Sequence, residues 1–131
     1  MSTTKTNHAL NNAIGHMQSM VEDFKKDQQL QESNDYNQQD ELRESILNSA
    51  LSVEFRSGWE TFKEDFEPKE FKILLSWGGP ALRVIGELDD YGPLNPKLQF
   101  QDWGTPWTNF KITKDQQKAL NWFCNCFYFG G

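Results

Sequence analysis

Cysteine and histidine are scarce in this sequence, and their scarcity limits the chemistry that it could perform. The 131 residues include two cysteines and two histidines. His8 and His16 both lie in a polar N-terminal segment, eight residues apart, so a helix would separate them by two turns. This separation is too large for the pair alone to chelate a metal. A cysteine nucleophile would also lack its usual base, because no histidine follows residue 16.

The two cysteines form a single Cys-x-Cys pair, Cys124 and Cys126. A structural zinc site usually combines two such pairs with two to four residues between ligands, and no second pair is present. Neighbours at this spacing point to different sides of a helix, which makes a disulfide between them geometrically poor. We therefore predict reduced thiols, with Cys124 in the hydrophobic core.

Basic clusters and long apolar runs are also missing. Lysine and arginine number 13 against 19 acidic residues, for a formal charge of -6, so we expect no direct binding of nucleic-acid phosphates. No segment approaches the roughly 18 consecutive apolar residues of a membrane span, and the first residues lack the apolar core of a signal peptide. We predict a cytoplasmic chain whose acidic surface suits either simple solubility or a basic protein partner.

No phosphate-binding or cofactor motif is evident. The segment Gly78-Gly79-Pro80 lacks the Gly-Lys-Ser/Thr of a P-loop and the Gly-x-Gly-x-x-Gly of a dinucleotide fold. A tight turn between two strands explains it. We predict no cofactor and no metal.

Residues 1–50 form a segment of distinct composition, rich in Asn, Gln, Asp, Glu and Ser and without Trp or Pro. One helical stripe with spacings of four and three is formed by Leu10, Ile14, Met17, Val21 and Phe24. A shorter stripe consists of Leu42, Ile46 and Leu47, with Asp40 as its predicted N-cap. The polar stretch between them predicts a break at Ser33-Asn34-Asp35. This segment is predicted to pack its helices against the rest of the chain or to form a homodimer with another copy.

From Leu51 onward, apolar residues recur at every second position. Alternation over residues 51–56, 71–77, 81–88 and 97–103 predicts four strands, and tight turns between them favour an antiparallel meander. Thr113 and Gln116 form a capping box for a final helix, whose apolar face is Leu120, Phe123, Cys124 and Phe127. The predicted fold is α+β, with a helical extension over residues 1–50 and a core domain over 51–131.

Carboxylates and tryptophans are the remaining candidates for function. The carboxylates Glu87, Asp89, Asp90 and Asp102 would form an acid/base pair only if they converged in one cleft, and the first three lie at or beside an evident turn. Five tryptophans are many for a chain of this size, so we expect some to be exposed. The predicted partner-binding residues are Trp103, Trp107, Trp59, Glu64, Asp65, Glu67, Asp89 and Asp90.

Several strings of residues resemble a family of small phage- and prophage-encoded proteins of unassigned function. These strings include Val53-Glu54-Phe55-Arg56-Ser57-Gly58-Trp59, Leu74-Leu75-Ser76-Trp77-Gly78-Gly79-Pro80-Ala81, Arg83-Val84-Ile85-Gly86-Glu87-Leu88, Gln101-Asp102-Trp103-Gly104-Thr105-Pro106-Trp107-Thr108 and Cys126-Phe127-Tyr128-Phe129-Gly130. The similarity covers roughly residue 51 to residue 131. It implies a phage origin and no known enzymatic activity.

The leading hypothesis is therefore a non-enzymatic binding protein that inhibits a bacterial defence system, of the anti-CRISPR kind. Its partner would be a bacterial host protein such as a CRISPR effector, and acidic residues between 60 and 70 would direct the encounter. A self-associating accessory or structural phage protein is the alternative. A further alternative is a small carboxylate-dependent enzyme that uses Asp102 with Glu87 or Asp89.

Overall fold

The computed structural model describes residues 3–56, 69–77, 80–89, 91–102 and 104–127. Three helices and five strands occur in these ranges. In chain order they are α1 (Thr3–Glu32), α2 (Tyr36–Ser49), β1 (Ser52–Arg56), β2 (Glu70–Ser76), β3 (Ala81–Asp89), β4 (Gly92–Gln101), β5 (Thr108–Asn109) and α3 (Lys114–Asn125). The α+β prediction is confirmed.

The turn between α1 and α2 is built by the three residues at which a break is predicted. Asn34 adopts a left-handed conformation with φ of 57°, and the Asp35 amide donates to the Leu30 carbonyl, which is the Schellman ending of a helix. The side chain of Asp35 then accepts from the Gln38 amide and caps α2. The predicted N-cap at Asp40 is wrong, because α2 begins four residues earlier and Asp40 lies inside it.

The sheet is an antiparallel meander with strand order β1-β2-β3-β4-β5. β4 is longer than predicted because it pairs with β3 from the Asp89↔Gly92 turn through Ala81↔Gln101. A register shift between Ile85 and Glu87 accommodates this long hairpin. The two-residue strand β5 was not predicted, since two paired residues carry no readable alternation.

The C-terminal helix agrees with its sequence signature. The Thr113 side chain accepts from the Gln116 amide, and the Gln116 side chain accepts from the Thr113 amide, so both halves of the capping box form. Leu120, Phe123 and Cys124 are buried, as is Phe127 just beyond the helix end. The predicted apolar face of α3 is therefore confirmed.

One hydrophobic core lies between one sheet face and helices α1 and α3. We call this the inner face; its buried members include Phe71, Ile73, Leu82, Val84, Leu98 and Phe100. Both α1 and α3 pack against β4, and α1 also packs against α3. α2 lies against α1, and its Ile46 reaches the same core.

The buried face of α1 differs from the predicted stripe. Ala9, Ala13, Met17 and Met20 are buried, whereas Ile14 is 36% exposed and the other predicted members except Met17 lie at the edge of the core. The contact face of α1 is therefore rotated from the predicted stripe toward Ala9 and Ala13. The division into a helical extension over residues 1–50 and a core domain over 51–131 stays a prediction, and side chains from both parts share one core.

Candidate partner-binding surface

The opposite face of the sheet, called here the outer face, stays in contact with solvent. By strand register, Leu74, Arg83 and Gln99 form one row across β2, β3 and β4. Lys72, Ile85 and Lys97 form the neighbouring row, and each of these six side chains is half-buried or exposed. An antiparallel sheet commonly has one packed face and one solvated face. The outer face is therefore available for contact with another molecule.

Arg83 and Trp107 stack on the outer face. The Arg83 guanidinium carbon lies 4.0 Å from the centre of the Trp107 ring, within the range of a cation–π contact. Arg83 Nε donates to Gln99 Oε1 at 2.8 Å, and Gln99 Nε2 donates to Asn109 Oδ1 at 2.8 Å. A hydrogen-bond chain from β3 to β5 and an aromatic ring thus fix the guanidinium in one place.

The other charges on the outer face are partly paired. Arg56 forms an ion pair with Glu70, and Lys72 Nζ lies 3.7 Å from Glu54 Oε2. Both pairs are exposed, so each contributes little to stability. Arg83 differs from these residues because no carboxylate within the described ranges pairs with it.

An open groove of about 1140 Å³ adjoins this surface. Its lining combines the charged outer-face residues with three amide side chains of α3, Gln117, Asn121 and Asn125. Among the described residues, its lining holds no histidine, cysteine, serine or threonine. The groove therefore offers charged and amide groups for recognition.

The tryptophans occupy different environments. Trp77, at the end of β2, is 71% exposed, whereas Trp122 on α3 packs against Phe24 of α1 with ring centroids 5.7 Å apart. The expectation of exposed tryptophan is confirmed, but by Trp77, which was not among the predicted binding residues. Trp107 is half-buried beneath Arg83. Trp59 and Trp103 lie outside the described residues.

The predicted carboxylate pair does not assemble. Asp102 follows the end of β4 at which Gln101 pairs with Ala81, whereas Glu87 pairs with Leu94 near the other end. Six residues of β3 separate the two positions, which corresponds to ~20 Å. Asp102 therefore cannot share one centre with Glu87, or with Asp89 two residues further on. Within the described part of the chain, no group of three metal-ligating side chains occurs.

The predicted acidic partner-binding residues are largely outside the described ranges. Four of them are not among the described residues, so their role stays a prediction: Glu64, Asp65, Glu67 and Asp90. Asp89 is exposed, and its Oδ1 accepts from the Tyr91 amide at 2.8 Å. This bond is the usual backbone role of aspartate in a turn. It leaves Asp89 without a distinct functional contact.

Burial shifts the pKa of both cysteines and of His16. Burial raises the pKa of both thiols, that of Cys126 to about 11, and neither cysteine forms a disulfide. Burial lowers the pKa of His16. The thiols therefore stay protonated near neutral pH, in agreement with their prediction as reduced residues.

Sequence reasoning missed Arg83 as a functional candidate. The two residues are 24 positions apart in the sequence, and Arg83 reaches Trp107 across β4 from a different strand. The alternation of β3 did indicate that Arg83 faces away from the core. Arg83 and Ile85 lie on one face of this strand, and the apolar Leu82 and Val84 lie on the other. Without the register, their neighbours on β4 and β5 could not be identified.

Comparison with known proteins adds no relative. No protein-family model, curated protein or solved structure matches the chain. The resemblance to small phage-encoded proteins therefore stays a prediction. No described helix is long and apolar enough to cross a membrane.

Proposed function

We propose that the chain is a non-enzymatic binding protein whose outer sheet face contacts a protein partner. The observation that carries this proposal is the Arg83–Trp107 stack, which is held by Gln99 and Asn109 on an otherwise solvated face. Arginine and tryptophan are the side chains most enriched at the energetic centres of protein interfaces. A pre-positioned pair loses little conformational freedom when a partner binds.

The partner we propose is a bacterial host protein of a defence system, for example a CRISPR effector, which the chain would inhibit by occlusion or locking. This assignment draws on the resemblance to phage-encoded proteins and on the formal charge of -6. Binding alone is sufficient for such inhibition, so the proposal requires no catalytic centre. Residues 60–70 would add long-range attraction to a basic surface of the target.

Affinity capture tests the proposal directly. The tagged full chain is incubated with lysates of bacteria that carry defence systems, and proteins retained in stoichiometric amount are identified by mass spectrometry. The same defence system is then challenged with phage in cells that express the chain. We expect capture of one defence protein and loss of its protective effect.

A matched pair of variants makes the experiment specific to the outer face. Trp107→Ala removes the ring below Arg83, whereas Tyr91→Ala removes an aromatic side chain that is 96% exposed in the β3–β4 turn. Capture should fall with Trp107→Ala and persist with Tyr91→Ala. Equal capture by both variants, or no defence protein retained by the wild-type chain, would contradict the proposal.

Self-association is the second proposal, in which the chain acts as an accessory or structural phage protein. It receives less support from the arrangement of α1, because the buried face of this helix already packs against α3 and the sheet. Sedimentation of the purified chain distinguishes the two proposals. A stable homodimer that captures no host protein would favour self-association.

A further inference from the structure

Arg83 keeps hydrogen-bonding capacity that its own chain does not use. Its Nε donates to Gln99, but neither Nη atom has a hydrogen-bond partner among the described residues. A guanidinium presents its donors in a planar fork that matches a carboxylate in two-point geometry. From this arrangement we propose that the outer face recognises an acidic side chain of the partner, which docks on the Arg83 fork beside Trp107. This inference rests on the proposed function, because it assumes a protein partner.

The immobilisation of Arg83 favours a specific contact over diffuse attraction. A free arginine loses much rotational freedom when it forms an ion pair, which is why exposed pairs are weak. The Trp107 ring and the Gln99 amide already restrict Arg83, so less freedom remains to be lost on binding. Half-burial of Arg83 also reduces screening by water and salt.

The neighbours of Arg83 define the rest of the ligand. Leu74 lies beside Arg83 on β2, and Ile85 lies two residues further along β3 on the same face. Both are half-buried and form an apolar surface next to the fork. Lys97, paired with Ile85, adds a second cation on the far side. The surface therefore fits an aspartate or glutamate that stands next to an aliphatic residue.

The charge pattern favours a protein ligand over a nucleic acid. A strand of phosphates that crossed the outer face would pass Glu54, Glu70 and Glu87, which lie on the same strands as the cations. The net charge of the whole chain would oppose it further. A single carboxylate at Arg83 avoids these repulsions because it needs only the local positive site.

A peptide selection tests this inference without knowledge of the partner. Random dodecapeptides are displayed and selected on the immobilised full chain, and enriched sequences are synthesised for titration. We expect enrichment of aspartate or glutamate adjacent to leucine, isoleucine or valine. Arg83→Gln should weaken binding of such a peptide about tenfold or more, as expected for loss of a charge-assisted hydrogen bond.

Two further variants, used together with Arg83→Gln, separate recognition from folding. Arg83→Lys keeps the charge but removes the planar fork, and should also weaken binding. Lys118→Gln removes an exposed cation of α3 that is not part of the groove lining, and should leave binding within about twofold. Each variant is first compared with the parent chain by circular dichroism and urea unfolding, so that only folded proteins are titrated.

The other possible outcomes count against either this inference or the proposed function. Enrichment of basic peptides, absence of enrichment, or equal binding by Arg83→Gln would overturn it, and Arg83-dependent binding of single-stranded oligo-dT would replace the carboxylate with phosphate. Capture of a defence protein that Arg83→Gln does not weaken would refute this site and leave the proposed function standing. Arg83-dependent peptide binding without any effect on a defence system would refute the proposed function instead.

Discussion

The two faces of the sheet are built on different physical principles. The inner face consists of side chains such as Leu98 and Val84, which are fully buried and interact through non-directional packing. The outer face is held by individual directional contacts, of which the Arg83–Trp107 stack and the Gln99–Asn109 bond are the clearest. The comparison shows that the core determines the stability of the chain, while the solvated face is available for recognition.

Shortening a side chain on each face tests this division with the largest expected effect. Leu98 is 0% exposed, whereas Ile85, on the neighbouring strand, is half-buried on the outer face. Leu98→Ala should lower the free energy of unfolding by about 2–5 kcal/mol because it leaves a cavity. Ile85→Ala should cost about 1 kcal/mol. Urea unfolding measures both values, and similar costs for the two variants would contradict the division.

Glycine substitutions examine how tightly the inner face is packed. A Cβ atom on Gly86 would lie 2.5 Å from the Phe71 ring and 3.0 Å from the Leu94 carbonyl oxygen, whereas a Cβ on Gly15 of α1 would meet nothing within 4 Å. Gly86→Ala should therefore destabilise the chain by about 1–3 kcal/mol. Gly15→Ala should stabilise it by about 0.5–1 kcal/mol. The thermal unfolding temperature should decrease for Gly86→Ala and increase for Gly15→Ala. An increase for both variants would show that the Phe71 ring moves to make room for the new Cβ atom.

Two ion pairs extend the comparison to charges. Asp27 is 5% exposed and accepts from Arg43 across the α1–α2 pair, while the Arg56–Glu70 pair is exposed. Arg43→Met leaves a buried carboxylate without its cation and should cost about 1–3 kcal/mol. Arg56→Gln should cost less than about 1 kcal/mol. Urea unfolding in low and high salt measures both costs. Equal costs would mean that water solvates the Asp27 carboxylate when Arg43 is replaced.

The smallest effect concerns pH and the half-buried His16. Burial lowers the pKa of His16 in the folded state, so below about pH 6.5 the unfolded chain binds more protons than the folded chain. The contribution of His16 is complete above this pH and falls as pH decreases toward the folded pKa. His16→Gln should therefore flatten the dependence of stability on pH between about 5.5 and 8.

The control for this measurement is His8→Gln, which alters the exposed histidine of the same helix. Burial raises the pKa of Asp23, so its contribution to stability falls as pH increases and opposes that of His16. A slope that His16→Gln leaves unchanged would assign the pH dependence to another group.

Local signals in the sequence predicted much of the fold. The capping box at Thr113 and Gln116, the break at Asn34 and the apolar alternation of β2 and β3 are all interactions between residues close in sequence. Such patterns are readable because each is determined by backbone geometry over a few residues. They sufficed for an antiparallel meander with helices on one face.

Features that depend on distant residues were not predictable in the same way. Ala9 and Ala13 lie on the face of α1 that packs in the core with α3 and β4, which no pattern within α1 reveals. The strand β5 exists only as a partner of Gln99 and Phe100. The Arg83–Trp107 contact requires the register of three strands, and therefore the candidate site could be identified only from the structure.

The packing of α1 against α3 has a consequence for synthesis on the ribosome. Phe24 and Trp122 meet in this contact, so the first helix finds its partner only after residue 122 has left the ribosome. The sheet hairpins form from neighbouring segments, whereas the closure of the helical layer has high contact order. Until then the methionines and alanines of α1 are exposed on the nascent chain, where chaperones would bind them. Closure of the helical layer is therefore expected to be a late step in the folding of this part of the chain.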